Sequence, residues 1–168
     1  MMKSVEVFLA HAVALEQESA DRFDELADTL EVHHNGEVTE LFRKMAHFSR
    51  LHLAEAKSMV GPGGLPHIKP WEFQWPGEEA PETVDIEGTH YKMTPWHALT
   101  LALESEKTGY DFYASVAEST DDVEIEKLAK EFAEEEAEHV AMLETMIAKF
   151  PEPKEGWDED MDPPAVVD

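Results

Sequence analysis

The chain carries an internal repeat, and that repeat constrains its fold more than any other feature. Moved forward by 90 positions, Leu9 falls on Leu99, Ala12 on Ala102, Glu16 on Glu106, Asp21 on Asp111, Phe23 on Tyr113, Leu26 on Val116 and Ala27 on Ala117. Moved by 87, Leu41 falls on Leu128, Arg43 on Lys130, Ala46 on Ala133, His52 on His139, Ala54 on Ala141 and Met59 on Met146. Helices of similar composition share alanines and leucines by chance. A Glu and a His matched within the apolar faces of both pairs are much harder to dismiss. The two offsets differ only through turn length, so each half of the chain is one supersecondary unit.

Each unit reads as an antiparallel αα-hairpin. Val5, Phe8, Leu9, Ala12, Val13, Leu15, Phe23, Leu26, Ala27 and Leu30 recur at helical spacing and predict a helix over 4–31, with Ser4 as its N-cap. His33-His34-Asn35-Gly36 breaks the pattern, and Asn35 suits the cap of the next helix. Val38, Leu41, Met45, Phe48, Leu51 and Met59 carry a second helix over 36–59, stopped by Gly61-Pro62-Gly63-Gly64. Thr94-Pro95 reads as an N-cap followed by an N1 proline, opening a third helix to about Glu118. Asp121 with Glu124 resembles a capping box for a fourth, which ends near Phe150 before Pro151.

Between the hairpins, residues 61–93 include Pro66, Pro70, Trp71, Phe73, Trp75, Pro76 and Pro81 and fit no helix. Two hairpins joined by one long crossover make an all-α, ferritin-like four-helix bundle over residues 1–150. Helices of about 25 residues are roughly 38 Å long, and a crossover of this length returns along the whole bundle at ~3.3 Å per residue. Residues 151–168, acidic and with four prolines, predict a disordered tail.

At 168 residues the chain suits one domain with a real core. It contains no cysteine, which excludes disulfides, zinc fingers, cysteine-ligated iron centres and thiol catalysis. Any bound metal must be held by His, Asp, Glu or backbone oxygen, a donor set suited to iron, manganese or zinc. The net charge of -25 disfavours nucleic acid and anionic membranes, both of which need a positive face. Lys3 with Val5–Leu15 superficially resembles a signal peptide, but Glu6 and His11 interrupt the apolar run. No stretch approaches the ~20 apolar residues of a membrane span. The expected location is the cytoplasm.

Four polar residues sit where core is expected. Glu16 lies on the stripe Leu9–Ala12–Glu16–Phe23 and Glu106 on Leu99–Ala102–Glu106–Tyr113. His52 lies on Met45–Phe48–His52–Met59, and His139 on Phe132–His139–Leu143–Met146. Buried without partners, each would cost several kcal/mol, so they must meet something. Measured from turns near residues 33 and 121, all four lie at similar depth. Glu136 is one helical turn before His139 on the same face, giving a Glu-x-x-His pair. Such a pair, with a Glu from each of two other helices, builds carboxylate-bridged dimetal sites in bundles. Metal-free Glu–His pairing is the plainer alternative. His11, His33, His34, His47, His67, His90 and His97 read as surface, turn or packing residues. Trp71, Trp75 and Trp96 read as anchors for the crossover or as part of a dimer interface.

Glu16–Phe23 and Glu106–Tyr113, each a Glu with an aromatic seven residues later, together with Glu136-Ala137-Glu138-His139, resemble the rubrerythrin branch of the ferritin-like superfamily. The resemblance covers residues 4–150 apart from the details of the crossover. It implies a diiron centre that reduces peroxide or O₂, or oxidises ferrous iron. Glu16 and Glu106 would then be terminal carboxylates, His52 and His139 one imidazole per metal, and Glu136 a bridge. Two departures stand out. Ser49 occupies the place of the second bridging carboxylate, with Glu55 as a candidate substitute and His47 a poorer one. There is also no rubredoxin domain, so a separate electron donor is expected. Iron at one or two ions per chain and a homodimer, with hairpins exchanged as one form, complete the expectation. The alternatives are a non-enzymatic metal-binding protein and a structural bundle with a degenerate site.

Overall fold

A computed structural model describes residues 2, 4–32, 36–73, 75 and 94–152. The chain forms α1 (Val5–Val32), α2 (Gly36–Ser58), a single 3₁₀ turn at Pro70–Glu72, α3 (Pro95–Ser119) and α4 (Val123–Ile147). α1 packs along α2 and α3 along α4; α1 also touches both α3 and α4, and α2 meets α4 through His52 and His139. This is the ferritin-like four-helix bundle expected from the repeat. Among the described residues no helix is long and apolar enough to cross a membrane. The expected Asn35 cap and the expected disordered tail beyond Glu152 lie outside the described residues.

Local chemistry sets the helix ends. Thr94 is extended, its hydroxyl accepts the His97 amide at 3.3 Å, and Pro95 holds the first helical position. The start of α4 differs by one residue from the sequence expectation: Asp122, not Asp121, is the cap. Its carboxylate accepts the Glu124 and Ile125 amides at 2.9 and 3.1 Å. Thr120 explains the shift, because its hydroxyl accepts the Asp122 amide and donates to the Met2 carbonyl, fixing the chain one residue later. α4 ends at Ile147 rather than near Phe150, since Lys149 and Phe150 bond back to Met146 and Ile147 in tighter turns.

The core is split into two apolar clusters. One gathers Phe8, Leu9, Leu15, Phe112, Tyr113, Ile125 and Phe132; the other gathers Phe23, Leu26, Leu30, Phe42, Met45, Leu99 and Leu143. Phe8 ties α1 to the second hairpin, with its ring 6.1 Å from Tyr113 and 5.8 Å from Phe132. Burying each such side chain contributes about 1.5–3 kcal/mol. In every helix the two clusters bracket a polar stretch: Glu16 and Ser19, Ser49 and His52, Glu106, and Glu136 and His139. The bundle therefore carries a polar belt at mid-height between two dry layers.

Two expectations about the apolar face of α2 are corrected. Leu51 is 51% exposed and Met59 37%. The buried stripe instead runs Val38, Phe42, Met45, Ser49, Leu53, Ala56 at helical spacing, and Leu51 falls off it. The crossover is pinned to the bundle by Phe73 and Trp75, which stack on each other at 5.2 Å and close over His11, each 4.8 Å from its ring. His11 is fully buried, with Nδ1 bonded to the Val7 carbonyl at 2.8 Å, and burial lowers its pKa. It packs rather than facing the belt. Trp71 is largely exposed, with Lys69 Nζ 5.4 Å from its ring centroid.

Candidate metal centre

The helices deliver the predicted residues to one level. Glu16, Glu106, Glu136 and His139 are all buried, and the His52 side chain, at the edge of the α2 stripe, is 14% exposed. Among the described residues, Glu106, Glu136 and His139 bring ligand atoms within 4.8 Å of one another. His139 Nδ1 lies 3.4 Å from Glu106 Oε2 and 4.0 Å from Glu136 Oε2. On the other side of the belt, His52 Nδ1 lies 3.8 Å from Glu16 Oε2. Tyr113 reaches across from the second hairpin and donates to Glu16 Oε1 at 3.3 Å.

Electrostatics follow from the crowding. The Glu16, Glu106 and Glu136 carboxyls lie close enough to shift one another's titration, and such crowding favours a shared proton or a cation. Burial, then repulsion from Glu106 and Glu135, raises Glu16 well above the ordinary carboxylate range. Burial also works to raise Glu106, but the neighbouring Glu136 carboxyl and the His139 and His52 imidazoles outweigh it and hold that carboxyl low. His52 is pulled down to about 4 by burial and by the neighbouring His139.

The donor set fits a divalent cation. Glu16 Oε2, Glu106 Oε2, His52 Nδ1 and His139 Nδ1 are buried without a hydrogen bond among the described residues. Each such orphan costs about 1–3 kcal/mol, and metal held between each carboxylate and its facing imidazole would offset that cost. The ligands are oxygen and imidazole nitrogen, the set that suits iron, manganese and zinc. The two sides are unequal. The second hairpin offers two carboxylates and an imidazole in one compact group, whereas the first offers Glu16 and His52.

Ser49 is the cause of the inequality. It is fully buried at the position equivalent to Glu136 and shares a 2.9 Å hydrogen bond with Ser19. Ser19 in turn donates to Glu106 Oε1 at 3.5 Å. Glu55, the candidate substitute carboxylate, is exposed, as is His47. The residue that does approach His52 is Glu135, with Oε2 3.4 Å from His52 Nε2. Sequence reasoning missed both Ser19 and Glu135. Ser19 carries no metal-ligand signal, and Glu135 is hidden within the run Glu134-Glu135-Glu136.

A family model described as Rubrerythrin matches residues 97–165, a span that includes α4 and nearly all of α3, with Glu106, Glu136 and His139. Among solved structures, an uncharacterized conserved protein from Magnetospirillum magnetotacticum MS-1 is 41% identical, with a TM-score of 0.77. The match covers 90% of this chain and 98% of that one. No curated protein matches the chain significantly. With its duplicated hairpin, its Glu-x-x-His helix and its buried Glu/Glu/His group, the chain belongs to the rubrerythrin-like branch of the ferritin-like superfamily.

Proposed function

We propose that the belt binds iron, as a diiron centre, and that the protein is an oxidoreductase of rubrerythrin type, reducing peroxide or O₂ or oxidising ferrous iron. The observation that carries this reading is the buried Glu106–Glu136–His139 group, with Glu16 and His52 opposite it at the same level. Iron held there would supply the redox electrons. The protein's own part is placement and insulation. Glu136, whose carboxyl influences both Glu16 and Glu106, would be the bridging carboxylate. Tyr113 and Ser19 hold Glu16 and Glu106 in orientation through their hydroxyls. The apolar clusters above and below exclude bulk water, which strengthens every charge interaction between them. The 168 residues contain no cysteine, so in this reading electrons come from a separate donor protein. The same reading places the chain in the cytoplasm as a homodimer, with exchanged hairpins as one form of it.

A second reading is favoured by Ser49, which leaves the first hairpin short of a carboxylate. In it the protein binds or stores metal without turnover. Peroxide added to anaerobically iron-loaded protein separates the two. Oxidation of the iron with repeated turnover under a continuous supply of reductant supports the oxidoreductase, and a single slow oxidation supports the binding protein.

A further inference from the structure

His52 is approached from two sides, and the two approaches use different nitrogens. Nδ1 faces Glu16 at 3.8 Å and Nε2 faces Glu135 at 3.4 Å. An ion bound by one imidazole nitrogen cannot collect both carboxylates at close range. The other histidine of the belt shows which nitrogen looks inward: His139 turns Nδ1 toward Glu106 and Glu136. By the repeat, His52 does the same toward Glu16, which leaves Glu135 at the outer nitrogen.

The repeat also shows what Glu135 replaces. The offset of 87 sets Phe48 on Glu135 and Ser49 on Glu136. Phe48 stacks on His139, with ring centroids 6.0 Å apart and planes 14° from parallel. Each hairpin thus uses the same position to hold the opposite hairpin's histidine, by ring stacking in one case and by a carboxylate in the other. His139 additionally has Glu136 one turn away, whereas the equivalent Ser49 hydroxyl is engaged with Ser19.

We propose that Glu135 is a positioning residue that accepts the Nε2 proton of His52, fixing the tautomer that presents Nδ1 to an ion at Glu16. The role rests on the metal-site reading above but goes beyond it, since Glu135 compensates for Ser49 without being a ligand. Outer carboxylates of this kind orient ligating imidazoles and raise their basicity. Glu135 Oε2 is buried with no hydrogen-bond partner among the described residues, and His52 Nε2 faces it at 3.4 Å. A neutral imidazole carries its proton on one ring nitrogen, and the hydrogen-bond partner of that nitrogen decides which.

The test compares wild type, Glu135→Ala and Glu135→Gln at pH 8. Nitrogen-15 NMR of the metal-free protein reads the His52 tautomer directly, with His52→Asn supplying the assignment. Wild type is expected to show the Nε2–H form, Glu135→Ala a mixture with Nδ1–H, and Glu135→Gln the wild-type form, because its amide oxygen still accepts. Anaerobic ferrous titration is expected to show Glu135→Ala weakening only the weaker-bound ion, by about 10–100-fold. An unchanged tautomer in Glu135→Ala overturns the proposal, as does equal weakening of both ions. If wild type binds no metal, the metal reading fails while the tautomer measurement still decides the role of Glu135.

Discussion

The imidazoles of His52 and His139 lie face to face across the two hairpins, with centroids 5.3 Å apart and planes 9° from parallel. Residues aligned in sequence by the repeat are therefore in contact in space, at the level where both apolar clusters stop. A buried pair of imidazoles among carboxyls, with nitrogen and oxygen atoms lacking hydrogen bonds, is a poor core for a metal-free bundle. Loading the belt should stabilise the fold. At free metal a thousandfold above Kd the gain is about 4 kcal/mol, read as a rise in Tm on adding ferrous iron anaerobically and reversed by chelator. An identical Tm in both states would contradict it.

Ser49→Glu should separate the two states of the belt. Ser49 is fully buried and its hydroxyl is already bonded to Ser19. A carboxylate there overfills the site and lacks a partner without metal, costing the apoprotein about 1–3 kcal/mol. With metal the same group would lie beside the ligands, so the loaded variant should recover most of that loss. Denaturant titrations of both forms check this, and an equal loss in both would mean that position 49 does not face the ions.

The pH dependence of the apoprotein should reveal the raised carboxyls. Glu135 titrates at about 7 when folded against an ordinary 4.5. The folded chain therefore binds more protons than the unfolded chain in that window. Its contribution to stability is fully present below 4.5 and is lost as pH rises through about 7. Glu16 acts in the same direction. His52, lowered to about 4, acts oppositely: its contribution is present above 6.5 and lost as pH falls toward 4. Glu135→Gln mimics the neutral acid, so relative to wild type it should gain stability between pH 5 and pH 8. Thermal melts at the two values check the sign, and no relative gain would contradict the shift.

At the second turn, Asp122→Ala should cost about 1 kcal/mol through loss of the α4 cap. Asp121→Ala should cost little, because the bonds to Glu124 and Ile125 come from Asp122. Equal losses in the two variants would contradict the cap assignment.

How much of this was legible in the sequence depends on the kind of signal each residue carries. Glu16, Glu106 and His139 were readable because a charged or imidazole group interrupting an apolar stripe is costly and must be explained. The repeat then excluded coincidence. The fourth helix start was misplaced by one residue because Asp121 and Asp122 are equally good caps locally, and the choice was made by Thr120 bonding to Met2, a contact spanning the chain. Leu51 was misread because its apolar side chain was counted into the α2 stripe, although two residues from Ser49 and from Leu53 place it on the opposite, exposed face. Ser19 was silent, since a serine in a helix announces no partner, and its bond to Ser49 crosses two helices. Glu135 was visible only as one acid among several, and its distinction from Glu134 and Glu138 lies in which way α4 faces His52.

The most direct test of the central claim is metal binding at the belt itself. Wild type and Glu136→Ala/His139→Ala would be titrated with ferrous iron under anaerobic conditions, passed through a desalting column and analysed for retained metal. The account predicts that wild type retains at least one ion per chain and that the double variant, still folded by circular dichroism, retains none. Equal retention by the folded variant, or none by wild type, would contradict it.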